Sequence, residues 1–409
     1  MLLYVEVTHT VKSEMLTGIP RVVRNVVKNL IEIGVEREIT VVPIIFHRGS
    51  FVVTRAESVI KSKRRQAVKR RRRWSKLDAM RVLKKWESLC LEKLRGKPTV
   101  SRLVRAAPEE LHVLLLLDAS WPYNIWPAVD ALREDGVRVI SVIYDLIPIT
   151  HSATVVEPLA RSFGRWLGHQ ARIADGVICI SKTMACAVQE HLLKLVRSRG
   201  ESRSIRVLSF YLGSELEEGA DDGTVQKKVL ALRQGESAMF LMVGTIEPRK
   251  NHRDVFEAFK RLWASGVDAR LIIVGREQWK SEALLAEMSR HEEIDRRLVL
   301  IRNAADADVR WLYENSTALI MASDIEGFGL PIVEARRAGL PVICSDIPVF
   351  REVAGSEATE FRVGDVDDLV RVIGAHLRSE RERTHGKDQW ITWRESAEQL
   401  VDAIHALTA

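Results

Sequence analysis

Two glutamates, Glu326 and Glu334, stand eight residues apart in the stretch Asp324-Ile-Glu-Gly-Phe-Gly-Leu-Pro-Ile-Val-Glu334. A carboxylate repels a phosphate but accepts hydrogen bonds, so the task of such a pair lies with neutral hydroxyls, as on a sugar or a ribose. Between them, Phe328, Gly329 and Leu330 open a helix marked by Pro331 in its first turn and Gly339 beyond its end. Amides at a helix start point outward at the positive end of the dipole, and glycine lets an anion approach the backbone. Anion and polyol side by side suggest a nucleotide sugar. Glycine loops between strand and helix also occur in α/β proteins without any ligand, and the two carboxylates are what weigh against that reading.

A second anion-directed loop, Gly244-Thr-Ile-Glu-Pro-Arg-Lys-Asn251, follows the apolar run Ala238–Val243 and carries Thr245, Arg249 and Lys250. A diphosphate between such cations and a helix N-terminus has its departing charge stabilised without a metal. In the first half of the chain, the turn Thr17-Gly-Ile-Pro-Arg21 offers Gly18 and Arg21 to an anion. Tyr144 and Asp145, at the carboxyl end of the run Val137–Tyr144, are placed to touch substrate.

Apolar runs alternating with amphipathic helices position these groups. Leu3–Val7, Ile39–Phe46, His112–Asp118, Val137–Tyr144, Gly176–Ser181 and Ile205–Leu208 read as strands of a first sheet of about seven strands. Ala238–Val243, Arg270–Val274, Arg297–Ile301, Thr317–Met321 and Pro341–Cys344 read as a second. Such alternation implies parallel, doubly wound α/β sheets. The expected division is a first domain over 1–212 with a basic helical insertion at 61–105, an acidic, glycine-containing linker over 213–237, and a second domain over 238–386. A final helical segment, 387–409, closes the chain.

The 409 residues are 46% hydrophobic and 29% charged, as in soluble globular proteins. No 18-residue uncharged apolar run occurs, and the N-terminus lacks the marks of a signal peptide, so a cytoplasmic location is expected. The cysteines (Cys90, Cys179, Cys186 and Cys344) form neither a disulfide framework nor a zinc pattern. Net charge is +7, yet residues 61–105 hold 18 Lys or Arg against 3 Asp or Glu, an excess of +15 that leaves −8 elsewhere. Three readings of this segment stay open. They are a surface for anionic lipid, a solvated basic helix pair and, given least weight, nucleic-acid binding.

Taken together, Gly244–Asn251, Leu271-Ile-Ile-Val-Gly275, Glu326–Glu334 and Ala338-Gly-Leu-Pro-Val342 resemble the retaining glycosyltransferases of family 4, which have the GT-B fold. The spacing of Glu326 and Glu334 matches the E-x7-E signature of that family. The resemblance is specific over 238–365 and looser over Thr17–Arg21 and Tyr144–Pro148. It implies two Rossmann-like domains facing a central cleft, with the last helix returning to the first domain. It implies Lys250 on the donor diphosphate, Glu326 on the transferred sugar, Glu334 on the ribose, and the Phe328–Leu330 amides on phosphate, faced by Gly18. Transfer would retain configuration with no cofactor or metal, the leaving phosphate oxygen taking the acceptor proton. Two departures stand out. Thr245 occupies a position where many members carry Arg, so that Arg249 or another cation must compensate. Tyr144 stands where many carry His, and tyrosine donates a hydrogen bond but holds no positive charge. Tyr144-Asp-Leu-Ile-Pro148 and Gly244–Asn251 resemble bacterial mannosyl- and rhamnosyltransferases of O-antigen and capsule assembly. This implies GDP-mannose as donor and a lipid-linked glycan as acceptor, met at the inner membrane face. Two other functions remain open: a nucleotide-sugar epimerase on the same scaffold, and a glycosyltransferase-like binding subunit without turnover.

Overall fold

The computed structural model describes residues 1–13, 18–60, 98–216, 224–233, 237–378 and 390–409. They form two compact units, Met1–Leu212 together with Trp393–Ala409, and Gly213–Thr392.

The first unit is built on seven strands, β1 (Leu2–Glu6), β2 (Thr40–His47), β3 (Ser50–Val53), β4 (His112–Leu116), β5 (Arg138–Ile143), β6 (Gly176–Cys179) and β7 (Arg206–Ser209). Their order is β3-β2-β1-β4-β5-β6-β7, parallel except for the antiparallel edge strand β3. β1 and β4 are buried at every position, as strands covered on both faces must be, and such strands read in sequence as unbroken apolar runs. Successive strands run outward from β1 on one side and from β4 on the other. The topological switch, where open α/β sheets present ligands, therefore lies between β1 and β4. Helix α1 (Ile19–Glu36) buries Val22, Val23, Val26, Val27, Leu30 and Ile33 along one stripe. Gly18 at its N-cap has φ 64°, a left-handed conformation that favours glycine. Helix α2 (Lys182–Ser198) is capped by Ser181, whose Oγ accepts from the Met184 amide at 3.1 Å.

The second unit has six parallel strands, β8 (Ala238–Val243), β9 (Ala269–Val274), β10 (Leu298–Ile301), β11 (Ala318–Met321), β12 (Val342–Ser345) and β13 (Thr359–Phe361), in the order β10-β9-β8-β11-β12-β13. Its switch point falls between β8 and β11. Helix α3 (His252–Ala264) buries Val255, Phe256, Phe259, Leu262 and Trp263, and the Trp263 indole donates to the Ala269 carbonyl at 2.7 Å. Helices α4 (Asp306–Asn315) and α5 (Leu330–Arg337) flank β11 in sequence. A Cβ at Gly275 would lie 1.7 Å from the Gly244 carbonyl oxygen, so only glycine lets the loop after β8 cross the end of β9.

The last helix, α6 (Trp393–Thr408), belongs to the first unit. It is tied to α1 and its C-cap by the Arg394–Glu36 pair at 2.5 Å and by the Arg37–Asp402 pair. Leu407 packs on β6, where a Cβ at Gly176 would sit 2.7 Å from the leucine side chain. Lys227–Leu230 is a short helix with Val229 fully buried, within the stretch read as linker. Val100–Ala106 is a helix, whereas the remainder of the basic insertion, 61–97, lies outside the described residues.

Candidate active site

The loop leaving β8 turns through a 3-10 segment, Pro248–Lys250, and enters α3 at Asn251, which adopts φ 51°. The Asn251 side-chain amide donates to the Ala322 carbonyl at 3.0 Å and to the Asp324 carboxylate, and the Asp324 amide donates to the Arg249 carbonyl at 2.9 Å. These bonds fasten the loop after β8 to the exit of β11, the two strands that flank the switch point. Positions 249 and 250 thereby meet position 326, although 76 residues separate Lys250 from Glu326.

Charges meet at this junction. Lys250 Nζ pairs with Glu326 Oε1, and Arg249 Nη1 lies 3.0 Å from Glu326 Oε2. Arg249 also donates through Nη2 to Glu247 Oε1 at 2.7 Å and through Nη1 to the Ile325 carbonyl at 3.2 Å. Thr245 Oγ1 donates to the same Glu247 oxygen at 2.7 Å, and Ser323 Oγ to Glu326 Oε1 at 2.9 Å. The side chains of Glu326, Lys250 and Arg249 are only 10, 13 and 17% exposed. Burial by itself would raise the Glu326 pKa; the charges of Lys250 and Arg249, with the bonds from Lys250 and Ser323, overcome it and hold the carboxyl at about 2. Beside it, burial and then the Lys250 charge push His252 down to about 3, so this imidazole is neutral at physiological pH.

Gly329 caps α5 with φ 108°, and a Cβ there would approach the Phe350 ring to 3.0 Å. Leu330 opens the helix; the next residue, Pro331, carries no N–H, and the Ile332 amide donates to the Gly329 carbonyl at 2.9 Å. Phe328 is buried against Trp390, with ring centroids 6.0 Å apart. Glu334 sits inside α5, 5% exposed, and accepts a bond of 2.8 Å from the Tyr313 hydroxyl on α4. The unit therefore combines a helix start, a lysine on the loop after β8 paired with Glu326 on the loop after β11, and a second nearly buried carboxylate, Glu334, inside α5.

Gly18, Arg21, Tyr144 and Asp145 lie in the first unit, the first two at the start of α1 and the others directly after β5. Arg21 is in the first turn of α1, and Asp145 Oδ1 accepts from the Ile147 amide at 3.0 Å, shaping the turn that follows. The sequence reading has Tyr144 offering its hydroxyl to a sugar. The residue is buried instead, and its hydroxyl donates to the Leu117 carbonyl at 2.8 Å, inside the unit.

Several groups escape the sequence reading. Glu247 and Ser323 hold Arg249 and Glu326, and Tyr313 holds Glu334. At the first switch point Glu6 ends β1 and Asp118 follows β4, both buried. Asp118 accepts from the Thr10 and Ala119 amides at 2.6 and 2.8 Å, while Glu6 accepts from the Thr8 amide at 2.7 Å and its Oε2 has no partner among the described residues. Burial and then the Asp118 charge raise Glu6 to about 8, and burial raises Asp118 as well, so the two carboxyls titrate as one pair. The signal available in sequence was a lone carboxylate at the end of each of two apolar runs. Nothing there indicated that the two would be neighbours.

Residues 226–391 match the family described as Glycosyl transferases group 1. The chain is 33% identical over 278 residues to the serotype-specific mannosyltransferase WbdA of Escherichia coli, a match covering 67% of this chain and 34% of that protein. It is 35% identical over 140 residues to the O-antigen chain mannosyltransferase B of Escherichia coli, covering 34% of this chain and 35% of that one. The chain thus spans about a third of the length of these relatives. Among solved structures, Anabaena Alr3699/HepE in complex with UDP and glucose superposes with a TM-score of 0.62 at 14% identity, covering 99% of this chain and 100% of that one. The two Rossmann-like units are of GT-B type, and the chain carries a glycosyl transferases group 1 domain over residues 226–391, the segment that holds the paired Lys250 and Glu326.

Proposed function

We propose that the protein is a retaining glycosyltransferase that moves mannose from GDP-mannose to a lipid-linked glycan. The observation that carries this reading is the Lys250–Glu326–Arg249 cluster, which shares its β11–α5 connection with a helix N-terminus and with the buried Glu334. Lys250 and the Phe328–Leu330 amides at the start of α5 meet the diphosphate, Glu326 the sugar hydroxyls and Glu334 the ribose. The bond from the sugar C1 to the diphosphate oxygen breaks as the acceptor oxygen bonds to C1 on the same face. The acceptor proton passes to the departing oxygen, whose charge is balanced by Lys250 and the helix dipole. Gly18, Arg21 and Asp145 of the first unit are assigned to substrate binding in this proposal, with no metal or cofactor taking part. The E. coli relatives are named as mannosyltransferases, which supports mannose as the sugar.

Association with an anionic membrane through 61–105 belongs to the same proposal. Among the described residues no helix is long and apolar enough to cross a membrane. The test is a donor screen by mass spectrometry, with the full chain, chelator, and anionic vesicles holding a polyprenyl-diphosphate glycan. The expected result is GDP release from GDP-mannose with mannose added to the lipid, by protein that floats with the vesicles. Conversion of donor without transfer supports an epimerase, retention of donor without consumption supports a binding subunit, and either outcome overturns the proposal.

A further inference from the structure

Glu326 has two cationic neighbours, and they are held in different ways. Lys250 reaches it on a flexible stem, its ammonium 3.9 Å from where a Gly244 Cβ would stand. Arg249 is fixed by its own backbone, whose carbonyl accepts from Asp324 at 2.9 Å, and by its guanidinium, bonded at 3.2 Å to the Ile325 carbonyl and at 2.7 Å to Glu247. Glu247 is in turn held at 2.7 Å by Thr245. A lysine ammonium changes partners by rotating its stem, whereas a guanidinium fork must break several directed bonds at once. A diphosphate competing for cations would therefore draw away Lys250 first. Glu326 would then be a nearly buried carboxylate needing a counter-ion that stays, and Arg249 is the one built to stay.

We propose that Arg249, set in place by Glu247, is a positioning residue for Glu326 and not a contact to the donor phosphates. It holds the carboxylate aimed while Lys250 turns to the diphosphate. This rests on the donor-site reading above, and the experiment separates the two failures. GDP affinity is measured by calorimetry, and kcat and KM with GDP-mannose, for the full chain and for Arg249→Met, Arg249→Lys, Glu247→Gln and Lys250→Met, with thermal melting as the fold control. In Arg249→Met, kcat should fall about 100-fold while GDP affinity falls by no more than the roughly 10-fold that loss of one screened positive charge about 8 Å away produces, and Arg249→Lys, which keeps the charge, should bind GDP within about threefold of the wild type. The acid limb of Arg249→Met should move to higher pH, because a cation that lowers the Glu326 pKa has gone. Glu247→Gln should lower kcat about tenfold in the same pattern, Arg249→Lys should restore part of kcat, and Lys250→Met should weaken GDP about 100-fold. If Arg249→Met does not fold, Arg249→Lys and Glu247→Gln carry the same comparison. Loss of GDP affinity in the Arg249 variants equal to that of Lys250→Met makes Arg249 a phosphate contact and overturns the inference, as does a kcat that does not change. A wild-type chain that binds neither GDP nor UDP overturns the donor-site reading itself, and this inference with it.

Discussion

Replacing Glu326 by glutamine should strengthen product binding while it removes turnover. In the cluster Lys250 and Arg249 face Glu326 and Glu247, two cations against two carboxylates, so the local charge is balanced. Glutamine keeps the shape and leaves one positive charge in excess. A diphosphate of charge about −2 at about 8 Å from that excess, with an effective dielectric constant near 20, gains about 4 kcal/mol. Salt screening over a Debye length of about 8 Å removes much of this, leaving roughly 1.5–2 kcal/mol, or a 10- to 30-fold tighter complex with GDP. GDP lacks the transferred sugar, so the hydrogen bonds proposed between Glu326 and that sugar's hydroxyls do not enter its affinity. Turnover of the donor should fall by at least about 100-fold, near 2.7 kcal/mol of transition-state stabilisation. Two nearly buried cations are also deprived of their shared partner, so the free variant should melt lower and GDP should restore more stability to it than to the wild type. Calorimetry at low and high salt, melting with and without GDP, and donor turnover provide the readings. GDP affinity that weakens or does not change in Glu326→Gln, or turnover near that of the wild type, would refute the charge balance as described.

Tyr313→Phe removes the hydroxyl that donates to Glu334 at 2.8 Å, a bond to a charged acceptor worth about 1.5–3 kcal/mol. GDP binding should weaken several-fold while inorganic pyrophosphate binding is unchanged, and an equal loss for both would remove Glu334 from the ribose. Glu6 gives a pH dependence: raised to about 8 when folded against an ordinary 4.5, it stabilises the fold fully below about pH 4.5 and loses that contribution as pH rises to about 8. Glu6→Gln keeps an acceptor for the Thr8 amide, so it should flatten the decline in denaturation midpoint between pH 5.5 and 8; parallel declines in both proteins would refute the raised Glu6 pKa.

The fold was legible where parallel strands covered on both faces read as nearly unbroken apolar runs, as in β4 after His112 and in β8. It was not legible at β3 and β13, edge strands of 4 and 3 residues that need no such run. The GT-B class followed from alternation together with motif, because glycines at 244, 275 and 329 stand where backbone crossings or helix starts permit little else. Position 275 is the clearest case, since a side chain there would occupy the space of the Gly244 carbonyl.

Motif and pairing are separate levels of information, which is why the residues of the donor loops could be named while their partners could not. Arg249 and Lys250 are adjacent in sequence and equal in charge, and reading along the chain gives no reason to assign them different tasks. The difference arises from bonds between loops: Asn251 and Asp324 lock the two strand exits together, and Glu247, two residues before Arg249, turns back to hold its guanidinium. Tyr144 and the Glu6–Asp118 pair follow the same rule. Their chemistry is set by neighbours delivered through strand order, with β1 beside β4 and β4 beside β5, across more than a hundred residues of chain in the case of Glu6 and Asp118. A side chain at the carboxyl end of a buried strand can face ligand or interior, and only the packing decides. For Tyr144 the decision went to the Leu117 carbonyl, which leaves Asp145, Gly18 and Arg21 as the groups of the first unit on which acceptor or donor recognition must be tested.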